Sequence, residues 1–338
     1  MKDGLLMNVC MISRYGKGPV EFRKVPIPTV GDNDVLVSIH AASVNPIDFK
    51  IKDGRFRMFL KFKLPLIMGN DFSGTVVEVG RNVVKFKVGD NVYGRPDKDR
   101  IGTFAEYIAI DVSEIASMPS NLSFEQAASI PLVGLTDYQA LHDVLRLKPK
   151  EKILIHAGAG GIGTFAIQLA KQMGAYVATT ASQKGFELVK RLGADEIVDY
   201  RNEKFEDRLH DYDAVFDTLG GKILLRSFKV LRKGGRIVSI AGLPNRRFGI
   251  EHGYGFIKRN LLGILAARIS FHEARHKAKY SFLLMKPSGK QLGVIADLIE
   301  RGSIVPVIDR VYPFGRVQEA LDYQESGRVK GKIVLKIR

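Results

Sequence analysis

The chain has 338 residues, of which 45% are apolar and 26% charged, a composition that excludes a disordered protein without enough apolar surface to offset the entropy of folding. Its length predicts about two domains, and no run approaches the roughly 20 apolar residues of a membrane-spanning helix. The 52 Lys and Arg exceed the 36 Asp and Glu by 16, which suits a polyanion, an anionic bilayer or a phosphorylated cofactor without choosing among them.

The cysteine content limits the covalent and metal chemistry. Cys10 is the only cysteine, which excludes internal disulfides and Cys-rich zinc modules and favours a reducing, cytoplasmic setting. The run from Leu5 to Ile12 lacks the small-residue cleavage site of a secretory signal, so we expect a first β-strand there.

The N-terminal third predicts β-structure, and the pattern changes near Ser123. Stretches rich in β-branched and aromatic residues, bounded by turn formers, predict strands at residues 35–39, 74–79 and 91–93. Residues 124–147 predict two helices interrupted by Pro131 and Gly134, and Ser123 with Gln126 fits a capping box at their start.

From residue 152 short apolar strands alternate with helices. Strands are predicted at 152–156, 176–180, 196–199, 214–217 and 236–241, and helices at 162–173, 185–192 and 223–231. This alternation predicts an α/β fold, a parallel sheet with helices on both faces. After Gly242 we expect an irregular, basic segment, then helices at 291–299 and 317–326 and a final strand at 333–337.

The segment from His156 to Thr164 carries the pattern Gly158-x-Gly160-x-x-Gly163 between a predicted strand and a predicted helix. Glycines permit a tight turn and a close backbone approach to a pyrophosphate, and the helix start offers N–H groups and a positive dipole to the phosphates. The pattern therefore predicts a dinucleotide site; a plain strand-to-helix turn is the alternative.

The next strand indicates which dinucleotide is bound. An NAD site places an acid near its end to bind the ribose hydroxyls, but residues 177–184 contain none. Ser182 can donate to a 2′-phosphate and Lys184 can supply charge, which favours NADPH. In the alternative interpretation Ser182 caps the following helix and Lys184 is merely solvated.

At this point the sequence resembles the zinc-independent medium-chain dehydrogenase/reductases, in the branch of quinone oxidoreductases and enone reductases. Besides the glycine loop, the matching motifs are ASVNPIDFK at 42–50, GNDFSG at 69–74, VGDNVYG at 88–94, GLT at 134–136 and GKIVL at 331–335. The resemblance covers essentially the whole chain.

The resemblance implies a fold and the absence of zinc. We expect a GroES-like β-barrel catalytic domain in residues 1–125 and 272–338, a Rossmann cofactor domain with a doubly wound parallel sheet in residues 126–271, and an active site in the cleft. Zinc-dependent relatives have a Cys near Asn45 and a His near Asn70, and amides are poor zinc ligands, so neither zinc site is expected.

The implied function is NADPH-dependent hydride transfer to a quinone or to an α,β-unsaturated carbonyl (enone). Related enzymes place the equivalents of Asn45 and Lys50 near substrate and nicotinamide, where donors stabilise developing negative charge on the carbonyl oxygen. Alternatively, Asn45 is a turn residue before Pro46 and Lys50 a surface lysine like Lys52. Asp48 either orients Lys50 or caps a helix.

The resemblance also implies coenzyme contacts at the glycine loop, at strand ends and in a late loop. They are Thr136, Ala159, Gly160, Gly161, Ile162, Gly163, Thr180, Ser182, Lys184, Tyr200, Leu219, Ala241, Gly242, Leu243, Phe282 and Leu283. Tyr200 is expected to direct its hydroxyl at the 2′-phosphate or adenosine, and Thr136 to contact the nicotinamide. A packing tyrosine, a helix-cap threonine and ordinary core or turn residues are the alternatives.

Other patterns compete with this interpretation. Residues 272–276 match the HExxH metalloprotease pattern, but Arg275 lies inside it and no third ligand follows. Bases interleave with Phe at 50–63, and a second basic stretch covers 246–279; both suit single-stranded nucleic acid or an anionic bilayer, or are solvated. A non-catalytic or moonlighting nucleic-acid-binding protein on the same fold is thus the alternative function.

Relatives often pair cofactor domains through edge strands, so residues 236–241 are the expected homodimer edge, although monomers also exist.

Overall fold

A computed structural model describes residues 4–55 and 62–338. Within them the chain divides into two units. The first comprises the chain up to Leu135 together with Lys286–Arg338, and the second comprises Thr136–Met285.

Strands dominate the N-terminal part of the first unit, as its β-branched residues predict. Its elements are β1 (Leu6–Ile12), β2 (Glu21–Pro26), β3 (Asp34–Val44), α1 (Pro46–Lys52), β4 (Leu66–Ile67), β5 (Phe72–Val79), β6 (Asn91–Gly94), β7 (Tyr107–Asp111), β8 (Ile115–Ser117), α2 (Phe124–Ala128) and α3 (Pro131–Tyr138). The predicted capping box is confirmed, because Ser123 Oγ accepts the N–H of Gln126 at 3.3 Å and the Gln126 side chain accepts that of Ser123 at 3.0 Å.

Strand and helix alternate in the second unit. Its elements are β9 (Lys152–Ile155), α4 (Gly161–Gln172), β10 (Tyr176–Ala181), α5 (Phe186–Arg191), β11 (Glu196–Asp199), α6 (Phe205–Arg208), β12 (Tyr212–Asp217), α7 (Gly221–Ser227), β13 (Leu231–Ser239), α8 (Arg246–Glu251), α9 (Phe256–Leu265), α10 (Ala267–His276) and β14 (Lys279–Phe282). None of the helices in the described ranges of the chain is long and apolar enough to cross a membrane.

The C-terminal segment returns to the first unit and completes its larger sheet. It forms α11 (Gly289–Glu300), β15 (Ile308–Pro313), α12 (Val317–Glu325) and β16 (Lys332–Lys336). The larger sheet has the order β15-β16-β3-β5-β6-β8, with β7 also paired to β3, and a smaller sheet has the order β2-β1-β4. Because β16 pairs with β3 over residues 41–44, it brings the end of the chain beside the start of α1.

The second unit contains a six-stranded parallel sheet with the order β11-β10-β9-β12-β13-β14. Residues 153–155 of central β9 are fully buried, as expected for a strand covered on both faces. The order reverses between β9 and β12, and right-handed crossovers then place helices on opposite faces. This confirms the predicted doubly wound sheet, and ligands of such sheets bind at the carboxyl ends beside the reversal.

The structure corrects two expectations for the region that follows residue 236. Residues 242–285 are not irregular, since they form α8, α9, α10 and β14. Residues 236–241 are not the sheet edge, because β14 pairs in parallel with β13 and takes that place. The two units divide at 135/136 and 285/286, whereas the expected domain boundaries were 125/126 and 271/272; α2 packs on β3 and β5, and β14 belongs to the second sheet.

Candidate functional site

The glycine loop joins β9 to α4 and leaves no room for side chains at two of its glycines. A Cβ at Gly158 would overlap the Thr179 hydroxyl, and one at Gly163 would overlap the Ala157 carbonyl oxygen and lie 2.5 Å from the Gly158 Cα. The first N–H groups of α4 have no intrahelical partners, and the helix dipole is positive at this end. The loop and the helix start therefore form a cradle suited to an anion.

Buried hydrogen bonds fix the glycine loop to the protein interior. Thr180 Oγ1 accepts the N–H of Ala157 at 3.0 Å and lies 3.3 Å from His156 Nδ1. Burial lowers the pKa of His156 to about 3, so its ring is neutral, and its Nε2 lies 2.8 Å from the Ser227 hydroxyl. Thr180, predicted to contact the coenzyme, is buried, and its hydroxyl supports the loop.

The turn after β10 touches the glycine loop. A Cβ at Gly185 would lie 2.9 Å from the Ala159 Cβ, which places residues 182–185 directly beside the loop. The Ser182 side chain makes no cap hydrogen bond, so the structure does not support the alternative in which its hydroxyl is used to cap the following helix. Lys184 is exposed, and no acid lies between residues 181 and 185.

The end of the neighbouring strand β11 adds an aromatic ring and a second base. Ala181 and Asp199 are paired across β10 and β11, so the residues after them lie at the same sheet edge. Tyr200 is 56% exposed, unlike a packing tyrosine, and the Arg201 guanidinium lies 6.0 Å from its ring centroid. Asp199 is buried and accepts the N–H of Arg201 at 3.1 Å. The sequence interpretation missed Arg201, although its position directly after Tyr200 was the available indication.

A buried carboxylate shapes the ends of β12 and β13. Asp217 accepts the N–H of Gly220 at 3.0 Å and the Ser239 hydroxyl at 2.5 Å, and Ser239 Oγ accepts the N–H of Gly242 at 2.8 Å. Burial raises the pKa of Asp217. These bonds fold both turns so that three predicted contacts are exposed at the carboxyl edge: Leu219, Ala241 and Leu243. The sequence interpretation did not identify Asp217 or Ser239.

The remaining predicted contacts in the second unit are more buried. Phe282 ends β14 and packs edge-on against Phe248 with ring centroids 5.4 Å apart, the packing role that was the alternative for it. The N–H of Leu283 donates to the Ser239 carbonyl at 2.9 Å and extends the pairing. Thr136 is buried inside α3, so it is not a cap residue. The next residue, Asp137, is fully buried, and burial raises its pKa well above the usual range.

In the first unit, Asn45 belongs to a buried polar network. Its Nδ2 donates to the Ser43 carbonyl at 3.2 Å and to Asp71 Oδ1 at 3.1 Å, and its Oδ1 accepts from the Lys332 ammonium. Asn45 is 1% exposed, so its amide is fully used by protein groups. In this structure the Asn45 amide is therefore a structural link within the network.

The same network settles the alternatives for Asp48. Asp48 accepts the N–H of Asn45 at 2.7 Å and the Asn70 amide at 2.7 Å, which makes it a cap for α1. Burial, with a smaller contribution from the nearby Asp71, raises the pKa of Asp48 to about 7 against the lowering effect of its hydrogen bonds and of Lys332. Asn45 and Asn70 are thus joined through a carboxylate.

Two more buried charges complete this network, and the sequence interpretation assigned a role to neither. Lys332 lies 3.9 Å from Asp71 and is 5% exposed. Burial raises the pKa of Asp71 and lowers that of Lys332. In residues 4–55 and 62–338, no three His, Cys, Asp or Glu side chains form a group that could hold a metal.

The structure distinguishes Lys50 from Lys52, which the sequence could not. Lys52 is buried, donates to the carbonyls of Gly16 and Gly18 at 3.3 and 3.2 Å, and pairs with Asp53. Lys50 is half-buried, and its ammonium makes no hydrogen bond or ion pair with a described residue. Burial, and secondarily Arg55, lowers the pKa of Lys50.

The competing patterns have simpler explanations or remain predictions. His272 and His276 share one side of α10, but Glu273 accepts the N–H of Tyr280 at 2.9 Å and pairs with Arg247 at 3.1 Å, so it serves the fold. In the basic stretch 50–63, residues 56–61 lie outside the described residues.

Two family models match this chain. The one described as "Alcohol dehydrogenase GroES-like domain" matches residues 31–120, and the one described as "Zinc-binding dehydrogenase" matches residues 192–335. The first match lies within the part of the chain where the barrel-like sheet was expected, and the second begins in the part expected to form the parallel sheet and continues into the C-terminal segment.

Named relatives align with nearly the whole chain. A Homo sapiens protein named "NAD(P)H oxidoreductase RTN4IP1, mitochondrial" is 34% identical, over 98% of this chain and 89% of its own length. An Arabidopsis thaliana protein named "NADPH-dependent alkenal/one oxidoreductase, chloroplastic" is 32% identical, over 92% of this chain and 74% of its own length.

Solved structures of quinone oxidoreductases also align with nearly the whole chain. The quinone oxidoreductase of Coxiella burnetii is 33% identical, with a TM-score of 0.86 over 99% of this chain and 100% of that one. The Escherichia coli quinone oxidoreductase complexed with NADPH is 26% identical, with a TM-score of 0.81 over 98% of this chain and 100% of that one.

The comparisons overturn the expected cytoplasmic setting. The relatives from Homo sapiens, Bos taurus, Mus musculus and Danio rerio are all named as mitochondrial proteins. Reduced cysteine is not specific to the cytoplasm, so a single cysteine could not have distinguished the compartments.

Proposed function

This chain belongs to the zinc-independent quinone oxidoreductase and enone reductase branch of the medium-chain dehydrogenase/reductase family, and from that membership we propose that it reduces a quinone or an α,β-unsaturated carbonyl with NADPH. Its relatives support the broader class, an oxidoreductase with a nicotinamide coenzyme. The finer choices of NADPH and of substrate class are our proposal and rest on the residues below.

One observation carries the choice of NADPH: the strand ends beside the glycine loop present bases and no exposed acid. Ser182 and Lys184 follow β10, while Tyr200 and Arg201 follow the adjacent β11. A 2′-phosphate carries negative charge, so a hydroxyl and two bases favour it, whereas a carboxylate in this place would repel it.

The residues present fit the coenzyme. The close backbone contacts at Gly158 and Gly163 are those that a pyrophosphate cradle requires, and the start of α4 supplies N–H donors. We assign the pyrophosphate to residues 159–163 and the 2′-phosphate to Ser182, Lys184, Tyr200 and Arg201. When bound, the coenzyme supplies the hydride.

We assign to Lys50 the main role in stabilising the negative charge that develops on the substrate oxygen. Its ammonium is the one in α1 that no described protein group uses, and partial burial strengthens its interaction with a developing oxyanion. Asn45 acts as a positioning residue, because its hydrogen bonds anchor the start of the helix that carries Lys50.

We also propose that the protein is a homodimer joined along β14. This strand, and not residues 236–241, occupies one edge of the six-stranded sheet. An edge strand presents unpaired N–H and C=O groups that a second copy can bind by two-fold pairing.

The proposed coenzyme preference is tested by Lys184→Ala. We expect the mutation to weaken NADPH binding about 10- to 100-fold, since a hydrogen bond to a charged group contributes about 1.5–3 kcal/mol, and to leave NADH binding unchanged. Coenzyme fluorescence titration with the purified chain measures both constants. Lys190→Ala, an exposed lysine on the neighbouring helix α5, is the matched control and should affect neither.

Equal affinity of the wild type for NADH and NADPH would contradict the assignment, as would equal weakening of both by Lys184→Ala. Turnover is measured on a panel of benzoquinones and 2-alkenals with NADPH. Oxidation of a primary alcohol with NADP⁺, without reduction of either panel, would overturn the proposed reaction.

The role of Lys50 is tested by Lys50→Met. We expect kcat to fall about 100-fold or more, the usual loss when a donor to a developing oxyanion is removed, with little change in NADPH affinity. Because burial lowers the pKa of Lys50, the wild-type rate should decline as alkaline pH deprotonates it, and Lys50→Arg should remove that decline. Lys24→Met, at an exposed lysine of β2, is the control; an equal loss there, or none at Lys50, would exclude the role.

A further inference from the structure

The helices that follow β13 expose an unusual amount of apolar surface. Six large apolar side chains between residues 256 and 271 are at least half exposed: Phe256, Ile257, Leu261, Ile264, Leu265 and Phe271. Ile257 reaches 85% and Ile264 73%. Such a concentration on a surface marks an interaction site, whereas scattered apolar residues do not.

Four of these side chains lie on one side of α9, the α9 face, defined by Ile257, Leu261, Ile264 and Leu265. The opposite side packs on the protein: Leu262 is buried, and Gly249 and Gly263 let α8 and α9 approach closely. The helix is therefore anchored through one side while its strongly apolar side remains uncovered.

The surroundings of the α9 face are basic. Residues 246–279 contain eight Lys and Arg against two Glu. On α10, Arg268, Phe271 and Arg275 lie at helical spacings of three and four and so form one stripe. Arg268 and Arg275 have no ion-pair partner among the described residues.

We propose that the α9 face, with the Arg268–Phe271–Arg275 stripe, docks on the surface of an anionic lipid bilayer. Aliphatic and aromatic side chains enter the boundary between headgroups and acyl chains, and flanking bases bind acidic headgroups. This combination matches an amphipathic helix that lies in the interface plane, and α9 with ten residues is too short to cross it.

The charge and the composition argue against other occupants. The proposed homodimer uses the β14 edge and not the α9 face; a second copy seated on the α9 face itself would bring the Arg268 and Arg275 stripes of two chains together without counter-charge. Nucleic acid would match the charge, but it is bound by aromatic stacking and phosphate contacts, for which four aliphatic side chains have no use. An anionic bilayer uses both properties.

The first experiment measures binding of the full chain to vesicles by sedimentation. We expect binding to phosphatidylcholine vesicles that contain phosphatidylglycerol, little binding to pure phosphatidylcholine, and weakening by salt. The chain contains no tryptophan, so Phe271→Trp introduces a single reporter whose emission should shift to the blue on anionic vesicles. Phe22→Trp, a partly exposed position on β2 in the first unit, should not shift.

Paired variants separate the apolar and charged contributions. We expect Ile257→Ser with Ile264→Ser to weaken vesicle binding about 30-fold, and Arg268→Gln with Arg275→Gln about tenfold. Val84→Ser with Val305→Ser, two exposed apolar positions of the first unit, is the matched control and should bind like wild type. Circular dichroism and NADPH binding should be unchanged in all of them.

Three results would overturn the proposal. The first is the absence of binding to anionic vesicles, and the second is equal loss in the control variant. The third is a wild-type dimer, or a complex with a single-stranded oligonucleotide, that the Ile257/Ile264 variant abolishes while vesicle binding stays intact.

Discussion

Gly163→Ala should weaken NADPH binding at least about 100-fold, the scale of loss that a displacement of about 1 Å produces in a positioned site. The added Cβ would overlap the Ala157 carbonyl oxygen and lie 2.5 Å from the Gly158 Cα, and neither backbone atom can rotate away. The start of α4 must therefore separate from the glycine loop, which should also destabilise the second unit by about 1–3 kcal/mol. Coenzyme fluorescence and thermal unfolding measure the two effects.

Gly160→Ala is the matched variant within the same loop. A Cβ there would meet only the Ala157 carbonyl oxygen, at an ordinary 3.4 Å, so stability should stay within about 1 kcal/mol of wild type. NADPH binding should nevertheless fall about tenfold, because the new methyl group would intrude between the loop and the pyrophosphate. If the Gly163 variant binds NADPH normally, or if the Gly160 variant loses stability and not affinity, residues 159–163 do not hold the pyrophosphate.

The sequence predicted the second unit best where local chemistry leaves few options. Residues 153–155 are continuously apolar because β9 is buried on both faces, so a parallel sheet followed directly. The glycine loop was identifiable because two of its backbone contacts exclude any side chain. In both cases the structural requirement, burial on two faces or close backbone contact, acts on the same few residues that show the sequence pattern.

Prediction from the sequence pattern failed where apolar residues are exposed instead of buried, and where a strand is very short. The apolar residues of the α9 face have helical spacing but are exposed to solvent, and the sequence interpretation expected residues 256–265 to be irregular. Strand β14 has four residues, one of them Lys279, and nothing local distinguishes it from a loop. Because β14 was missed, the sheet edge was misplaced as well.

The candidate site in the first unit depends on contacts between residues far apart in the chain. Asn45 and Lys332 are separated by 287 positions and meet only because β16 pairs with β3. The local pattern before Pro46 indicated a turn or a donor, and both interpretations are incomplete, since the Asn45 amide is fully used inside the protein. Pairing of strands this distant in sequence is set by tertiary packing, which the sequence pattern does not express.

This long-range contact leads to a prediction about stability. Lys332→Met should lower the free energy of unfolding of the first unit by about 3–5 kcal/mol at pH 8, since it leaves the buried Asp71 carboxylate without its cation. The loss should be smaller at pH 5. Without Lys332 the folded pKa of Asp71, already raised by burial, rises further, and a carboxyl with a raised folded pKa loses stability as pH increases through that value. Urea unfolding at the two pH values measures the difference.

Lys336→Met provides the control on the same strand. Lys336 is exposed and lies 3.7 Å from Glu125, a surface pair whose removal should cost at most about 1 kcal/mol at either pH. Adding Asp71→Asn to Lys332→Met should restore much of the lost stability, because the uncompensated charge is then removed. If Lys332→Met costs no more than Lys336→Met, or if its deficit does not grow with pH, the buried charges do not act as a compensated unit, and the positioning role assigned to Asn45 loses its support.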